Sequence, residues 1–373
     1  MRILVAFGTR PEIIKLGPVY RDLREAGAHV DVFWSGQHID LADGLLDLFE
    51  INLTHSGTGV MQEPSLAGKF ALITQQMQSL LGPGQYDWVV VQGDTMTAAA
   101  GALAAFLNHV PVAHIEAGLR TGTLHSPWPE EFNRRLITIA STLHFAPTER
   151  SRDNLLREGV QNDQISVVGN TAVDALLHAR SRLASGYVPI DQEIANLPPD
   201  RKLVLATLHR RENIGAPLNE ILEALRELAD DGDKLILLPV HPNPDIRAQV
   251  VRALGEWPNI RLLKPLQYTD FVYLLSRSWT VVTDSGGVQE EAPTFGLRIL
   301  ITRESTERPE VVEAGFGTLV GSNRDAITAA VRRLTSSDAP QLLPARNPFG
   351  DGEASRRIAE RIFTVSPMQQ AAE

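Results

Sequence analysis

Cysteine is missing from all 373 residues, which excludes disulfides, thiolate nucleophiles and zinc–thiolate sites. Positive charge is scarce as well. Lys and Arg number 35 against 45 Asp and Glu, a net charge of -10, so the overall field repels nucleic acid and anionic membrane surfaces. Any anionic ligand must therefore meet local cations. No apolar run approaches the ~18 to 20 residues of a membrane-spanning helix, and MRILVAFGTRPE has none of the basic, apolar and small-residue regions of an export signal. The expectation is a cytoplasmic protein with neither nucleic acid nor membrane as a partner, in which the sequon Asn52-Leu53-Thr54 is a chance match.

Several ligand signatures are also missing. No G-x-G-x-x-G follows the first apolar run, Gly68-Lys69 has no upstream glycine or following Ser/Thr to make a P-loop, and neither H-E-x-x-H nor an EF-hand pattern occurs. No metal site and no cofactor is indicated.

What is present is alternation. Short β-branched runs at 3–7, 30–34, 88–91, 110–115, 143–146 and 165–168 are separated by helix-length segments such as 11–26 and 65–81. A second series follows at 203–207, 234–240, 260–263, 279–283 and 299–301. This is the pattern of parallel sheets with crossover helices. The break falls near 170–200, where GYVPIDQEIANLPPD is weakly periodic and contains proline, as a linker or domain start would be. A last helix is expected over 352–363.

In open parallel sheets ligands bind beyond the carboxyl ends of the strands, and the unusual polar residues stand there: Gly8-Thr9-Arg10, Gly36-Gln37-His38, Gln92-Gly93-Asp94-Thr95, Glu116, His209-Arg210-Arg211-Glu212, His241-Pro242-Asn243 and Asp284-Ser285-Gly286-Gly287. Singly, each is a turn or cap; together they mark a site. TDSGGVQEEAP leaves a strand and enters a helix, so Gly286 and Gly287 suit close approach of a diphosphate to the helix start, with Glu291 placed for a ribose diol. Arg10, Lys15 and Arg308 supply local positive charge. Asp94, Glu116, Glu130 and Glu131, with His209 and His241, are the candidates for proton transfer, and Arg134, one turn beyond Glu130, suits a carboxylate or a phosphate.

GTRPEIIK, GQH, VQGDT, HIEAGLRTG, PWPEEFNRR, LHRREN, PVHPNP, TDSGGVQEEAP and TERPE, in this order from Arg2 to about residue 363, resemble the non-hydrolysing UDP-N-acetylglucosamine 2-epimerases. The resemblance implies two Rossmann-like domains in a GT-B-type arrangement with an interdomain active-site cleft, 1–170 with a helix at 353–373 crossing back, and 171–352 as the UDP-binding domain. It implies reversible conversion of UDP-N-acetylglucosamine to UDP-N-acetylmannosamine through 2-acetamidoglucal, feeding surface polysaccharides, in a homodimer. Matched motif by motif, Asp94, Glu116, Glu130 and His209 are catalytic. Arg10, Lys15, Arg134, Leu266, Phe271, Ser285, Gly286, Gly287, Glu291 and Arg308 join Asp94, Glu116 and His209 around the substrate. Gln37, His38 and His241 match a site where many relatives bind a second UDP-N-acetylglucosamine as activator. Asp40 and Pro64 replace residues that are often Gln and Arg there, and loss of the Arg removes a cation suited to diphosphate, so weak or absent activation is expected. The competing readings are the hydrolysing epimerase, a GT-B glycosyltransferase and a non-catalytic sugar-nucleotide sensor.

Overall fold

The computed structural model describes residues 1–36, 43–125, 127–241, 243–344 and 346–365. The chain divides into two compact units, Met1–Ala175 with Phe349–Glu373, and Leu176–Pro348.

The first unit is built on seven strands, β1 (Arg2–Phe7), β2 (His29–Trp34), β3 (His55–Ser56), β4 (Trp88–Gln92), β5 (Val112–Ile115), β6 (Leu143–Ala146) and β7 (Ile165–Val167). All pairs are parallel and the order is β3-β2-β1-β4-β5-β6-β7. Strands covered on both faces must be apolar throughout, and β4, WVVVQ, is buried at every position. The helix Met96–Leu107 owes its close seat to small side chains, with Ala98, Ala99, Ala100, Ala102 and Ala105 all buried. The run expected from residue 110 begins as a strand only at Val112, because Val110 N–H bonds back to Ala105 to close that helix and Pro111 has no N–H to give a ladder. The helix Ala354–Thr364 belongs to this unit: Asp174 Oδ1 accepts from the Ser355 amide at 2.8 Å and its hydroxyl at 2.7 Å.

The second unit carries β8 (Lys202–Thr207), β9 (Lys234–Pro239), β10 (Ile260–Leu263), β11 (Thr280–Thr283), β12 (Arg298–Ile301) and β13 (Gly317–Leu319), parallel, in the order β10-β9-β8-β11-β12-β13. Its core sets Val204, Ile236 and Val282 of the sheet against Ile221 and Leu225 of the helix Ala216–Asp230 and Ile327 of the helix Arg324–Leu334. Each such fully buried side chain contributes about 1.5–3 kcal/mol. The stretch read as a linker is anchored here, because the Asp270 carboxylate accepts from Tyr187 Oη at 2.7 Å, Ile190 N at 3.1 Å and Asp191 N at 3.3 Å. It contains the one-turn helix Gln192–Ala195. The short strands β3 and β13, unforeseen in the sequence, span only two and three residues, too few to show a period.

Strand order reverses between β1 and β4 in the first sheet and between β8 and β11 in the second. These switch points open the crevices where doubly wound sheets bind ligands. Among the described residues no helix is long and apolar enough to cross a membrane.

Candidate active site

In the first unit the helix Arg10–Glu25 starts directly after β1. Arg10 is half-buried at its first position, and Lys15, on its second turn, points its Nζ at Glu116 Oε1, 2.5 Å away. Glu116 follows β5 with a left-handed backbone, φ 65°, a conformation that costs a residue with a Cβ about 1–3 kcal/mol and that gathers at functional sites. Lys15 on one oxygen and Gln92 Nε2 on the other keep it there. Gly93, next along, has φ +69°, and a Cβ on it would meet Glu116 Oε2 at 3.4 Å. The Gly93 carbonyl is held by His114 Nε2 at 2.8 Å. Burial drives the His114 pKa down to about 3 and that of His144, its neighbour across β5 and β6, to about 4, so both imidazoles are neutral.

Asp94 lies beyond β4, its Oδ2 receiving Arg134 Nη2 at 2.6 Å and Nε at 2.9 Å. Arg134 Nη1 also reaches the fully buried Glu131 at 3.0 Å. Of the carboxylate and phosphate roles open to Arg134, the structure thus supplies two carboxylates. Glu131, read as a proton-transfer candidate, accepts from Arg134, Thr121 N and Thr121 Oγ1. Glu130 opens the helix Glu130–Ala140, which Asn133 Nδ2 fastens to the Asp94 carbonyl at 2.9 Å. Its Oε2 is buried and has no hydrogen-bond partner among the described residues. Asp94 and Glu116 thus stand at the carboxyl ends of β4 and β5, and the helix that Glu130 opens is tied to Asp94 by Asn133 and Arg134.

In the second unit, Asp284 is completely buried after β11 and crosses the switch point to the loop after β8. Its carboxylate accepts from His209 N at 3.0 Å, Arg210 N at 3.0 Å and Asn213 Nδ2 at 2.9 Å, and the His209 Nδ1 stands 3.2 Å away. Burial pushes the Asp284 pKa up, but the bonds from His209 and the two backbone amides outweigh it and hold the carboxyl below its ordinary range. The ring of His241, on a residue that stays largely exposed, stacks on that of His209 with centroids 5.8 Å apart; partial burial of the imidazole and the neighbouring His209 lower its pKa.

Ser285 stands at the N-cap position of the short helix Gly286–Glu291 without a side-chain capping bond, and the first-turn N–H groups have no partner inside the helix. Arg308 lies over that turn: a Cβ on Gly286 would sit 2.6 Å from Arg308 Nη1, while Arg308 Nε donates to Glu290 Oε1 at 2.6 Å. Thr306 Oγ1 joins Gln289 at 2.6 Å, and Arg303 is clamped between Glu212 and Glu307. Burial raises the Glu307 pKa, yet Arg303 wins and leaves it at about 2. Buried Glu291 accepts from Tyr268 Oη at 2.9 Å, which draws in the start of the helix Tyr268–Arg277 with half-buried Phe271 and buried Leu266. Gln37, His38 and Asp40 lie outside the described residues. Pro64 is exposed just ahead of the helix Leu66–Leu80.

Sequence reasoning missed the roles of Gln92, Asp284 and Glu12. Gln92 carried a signal, a polar side chain ending an apolar run, and Glu12 stands at capping-box spacing from Thr9.

The model of the family described as UDP-N-acetylglucosamine 2-epimerase matches residues 21–363. A probable UDP-N-acetylglucosamine 2-epimerase of Ralstonia solanacearum is 44% identical over 369 residues, 97% of this chain and 98% of that protein. The UDP-N-acetylglucosamine 2-epimerase of Escherichia coli strain K12 is 41% identical over 375 residues, again 97% and 98%. Among solved structures, that of UDP-GlcNAc 2-epimerase from Neisseria meningitidis bound to UDP-GlcNAc superposes with a TM-score of 0.89 at 38% identity, covering 98% of this chain and 100% of that one.

Proposed function

The chain belongs to the UDP-N-acetylglucosamine 2-epimerase family, and from that premise we propose that it interconverts UDP-N-acetylglucosamine and UDP-N-acetylmannosamine without hydrolysing either. The observation that carries the reading is the strained Glu116, held by Lys15 and Gln92 beside Asp94. A carboxylate fixed at an unfavourable backbone angle suits a group that must be aimed.

The C2 proton of the sugar is not acidic by itself, so its removal has to accompany departure of UDP. In the proposed reaction one carboxylate of the set Asp94, Glu116 and Glu130 takes the C2 proton. The C2–H electrons form the C1=C2 bond of 2-acetamidoglucal, and the C1–O bond to UDP breaks. A proton returned to C2 on the opposite face, with the UDP oxygen re-forming its bond to C1, gives the epimer. Glu130, whose buried Oε2 has no partner among the described residues, is suited to proton transfer. Departing diphosphate develops charge, and His209, oriented by Asp284, with Arg308 and the first turn of Gly286–Glu291, is the group of donors that favours it. For the nucleoside the proposal takes Glu291, to which Tyr268 Oη donates, with Phe271 of the same helix and Leu266.

Cytoplasmic residence, a homodimer and supply of N-acetylmannosamine units to surface polysaccharide belong to the same proposal. So does weak or absent activation by a second UDP-N-acetylglucosamine; an absolute requirement for it when pure UDP-N-acetylmannosamine is the substrate would overturn that part.

Proton NMR of UDP-N-acetylglucosamine with the purified protein in D2O tests the reaction. Deuterium at C2 together with UDP-N-acetylmannosamine is the expected result. Free N-acetylmannosamine with UDP would move the chain to the hydrolysing branch, and unchanged substrate would reopen glycosyl transfer and other UDP-sugars.

A further inference from the structure

Glu12 is a fully buried carboxylate, 1% exposed, whose bonds go to the Gly8–Thr9 turn and to Thr95 rather than to the residues assigned to the reaction. Its Oε2 accepts from Gly8 N at 3.0 Å, Thr9 N at 2.8 Å and Thr9 Oγ1 at 2.8 Å. Its Oε1 turns the other way and takes Thr95 Oγ1 at 2.6 Å. An ordinary capping-box acid folds back onto its own helix start and stays at the surface. This one also bridges the turn after β1 to the turn after β4, the two walls of the crevice at the first switch point.

What those turns carry makes the bridge consequential. Lys15, three residues beyond Glu12, lies on the same face of the helix Arg10–Glu25 and holds Glu116. Thr95 is the neighbour of Asp94 and also caps the helix Met96–Leu107, accepting from Ala98 N at 3.0 Å. The second unit closes its own switch point in a comparable way, with buried Asp284 of the β11 turn accepting amides of the β8 turn. The same device thus recurs at the same topological position in both sheets, each time with a carboxylate beneath the residues assigned to chemistry.

We propose that Glu12 is a positioning residue for the epimerisation, setting the Lys15–Glu116 pair and Asp94 in register by tying the Gly8–Thr9 turn to Thr95. The proposal rests on the epimerase reading of the site. Burial also raises the Glu12 pKa to about 7, against the bonds from Thr95, Thr9 and Gly8, so a neutral side chain of the same shape is compatible with the site.

The test compares Glu12→Ala, Glu12→Gln, Thr95→Val and Thr95→Ser with the wild type, at a temperature where each is folded by circular dichroism. Gln can accept from the Gly8 and Thr9 amides with its carbonyl and donate to Thr95 with its NH2. Displacement of a catalytic group by about 1 Å costs on the order of a hundredfold, so kcat should fall about a hundredfold in Glu12→Ala with KM within about threefold. Glu12→Gln should stay within about fivefold of wild type on the same argument. Thr95→Val severs the crossing bond and also the cap on Ala98 N, and leaves the Gly8 and Thr9 amides satisfied, so it is read beside Glu12→Ala, which spares that cap; it should lose about tenfold or more in kcat, recovered in Thr95→Ser. A folded Thr95→Val with wild-type kcat, or a Glu12→Gln as slow as Glu12→Ala, overturns the proposal. Wild-type turnover, measured first, decides the epimerase reading separately. If no UDP-sugar is turned over, amide hydrogen exchange at Gly8 and Thr9 decides the bridge: faster exchange in Thr95→Val than in Thr95→Ser supports it, and equal exchange sinks it.

Discussion

Lys15 Nζ and Glu116 Oε1 are 2.5 Å apart although 101 residues separate them in sequence, and their side chains are only 11% and 9% exposed. A cation that the sequence suggested for diphosphate is therefore engaged by a carboxylate, and the pair is a unit. Removing one member of a nearly buried pair strands the other charge, at a cost of about 3 kcal/mol. Lys15→Met and Glu116→Gln should each destabilise, and the double variant should recover at least about 1 kcal/mol relative to their sum. Denaturant unfolding of the four proteins gives the coupling energy; a value near zero would show the contact to be incidental.

Gly286 offers a variant that tests Arg308 at the helix start. Its φ is ordinary, so alanine fits the backbone, but the new methyl would lie 2.6 Å from Arg308 Nη1, in a guanidinium bonded to Glu290. Gly286→Ala should displace Arg308 from the helix start and, because Arg308 is paired with nearly buried Glu290 at 2.6 Å, cost about 1–3 kcal/mol of stability, so affinity is compared at a temperature where both proteins are folded. UDP affinity by titration calorimetry should fall about tenfold, the loss of one charge-assisted bond of roughly 1.5 kcal/mol. Unchanged affinity would remove Arg308 from the nucleotide site.

How much of this was legible follows from where the signals lie. Strands such as β4 announce themselves because both faces are buried and the run is uniformly apolar, and Asp94, Glu116 and His209 stand out because they end such runs. The residues that hold them did not stand out. Glu12 meets Thr95 across 83 residues and His209 meets Asp284 across 75, and no spacing rule spans such distances. Glu12 was readable only as a cap, and Arg134 left its partner open until the fold brought Asp94 and Glu131 to it. The strained backbone of Glu116 is invisible in sequence, since any other residue there would suggest the same turn.

His114 should resist protonation. Burial lowers its pKa to about 3 from 6.5, so the folded state prefers the neutral ring. That contribution to stability is complete above pH 6.5 and fades as pH falls toward 3. His144, lowered to about 4, acts in the same direction. Imidazole nitrogen shifts of both residues should stay flat from pH 8 to 5; a midpoint inside that window would mean that the ring concerned is not buried as described.

Glu12 has the opposite sign. Its folded pKa is raised from 4.5 to about 7 by burial, against the bonds it accepts from Thr95, Thr9 and Gly8. Below pH 4.5 the carboxyl is protonated whether the chain is folded or not, and the site contributes fully. Between 4.5 and 7 the unfolded chain releases the proton while the folded chain keeps it, so stability drains away as pH rises, by about 3 kcal/mol for a gap of this size. Above pH 7 both states are ionised and the deficit is constant. Glu12→Gln, neutral throughout, removes this dependence, while all other groups titrate equally in both proteins and cancel from the comparison. The stability of Glu12→Gln relative to wild type should therefore climb between pH 4.5 and 7 and then level off, measured by urea unfolding at a series of pH values. A difference that stays flat across that range would mean that the four donors, not burial, set the charge of Glu12, and that the bridge to Thr95 is made by an ionised carboxylate at every physiological pH.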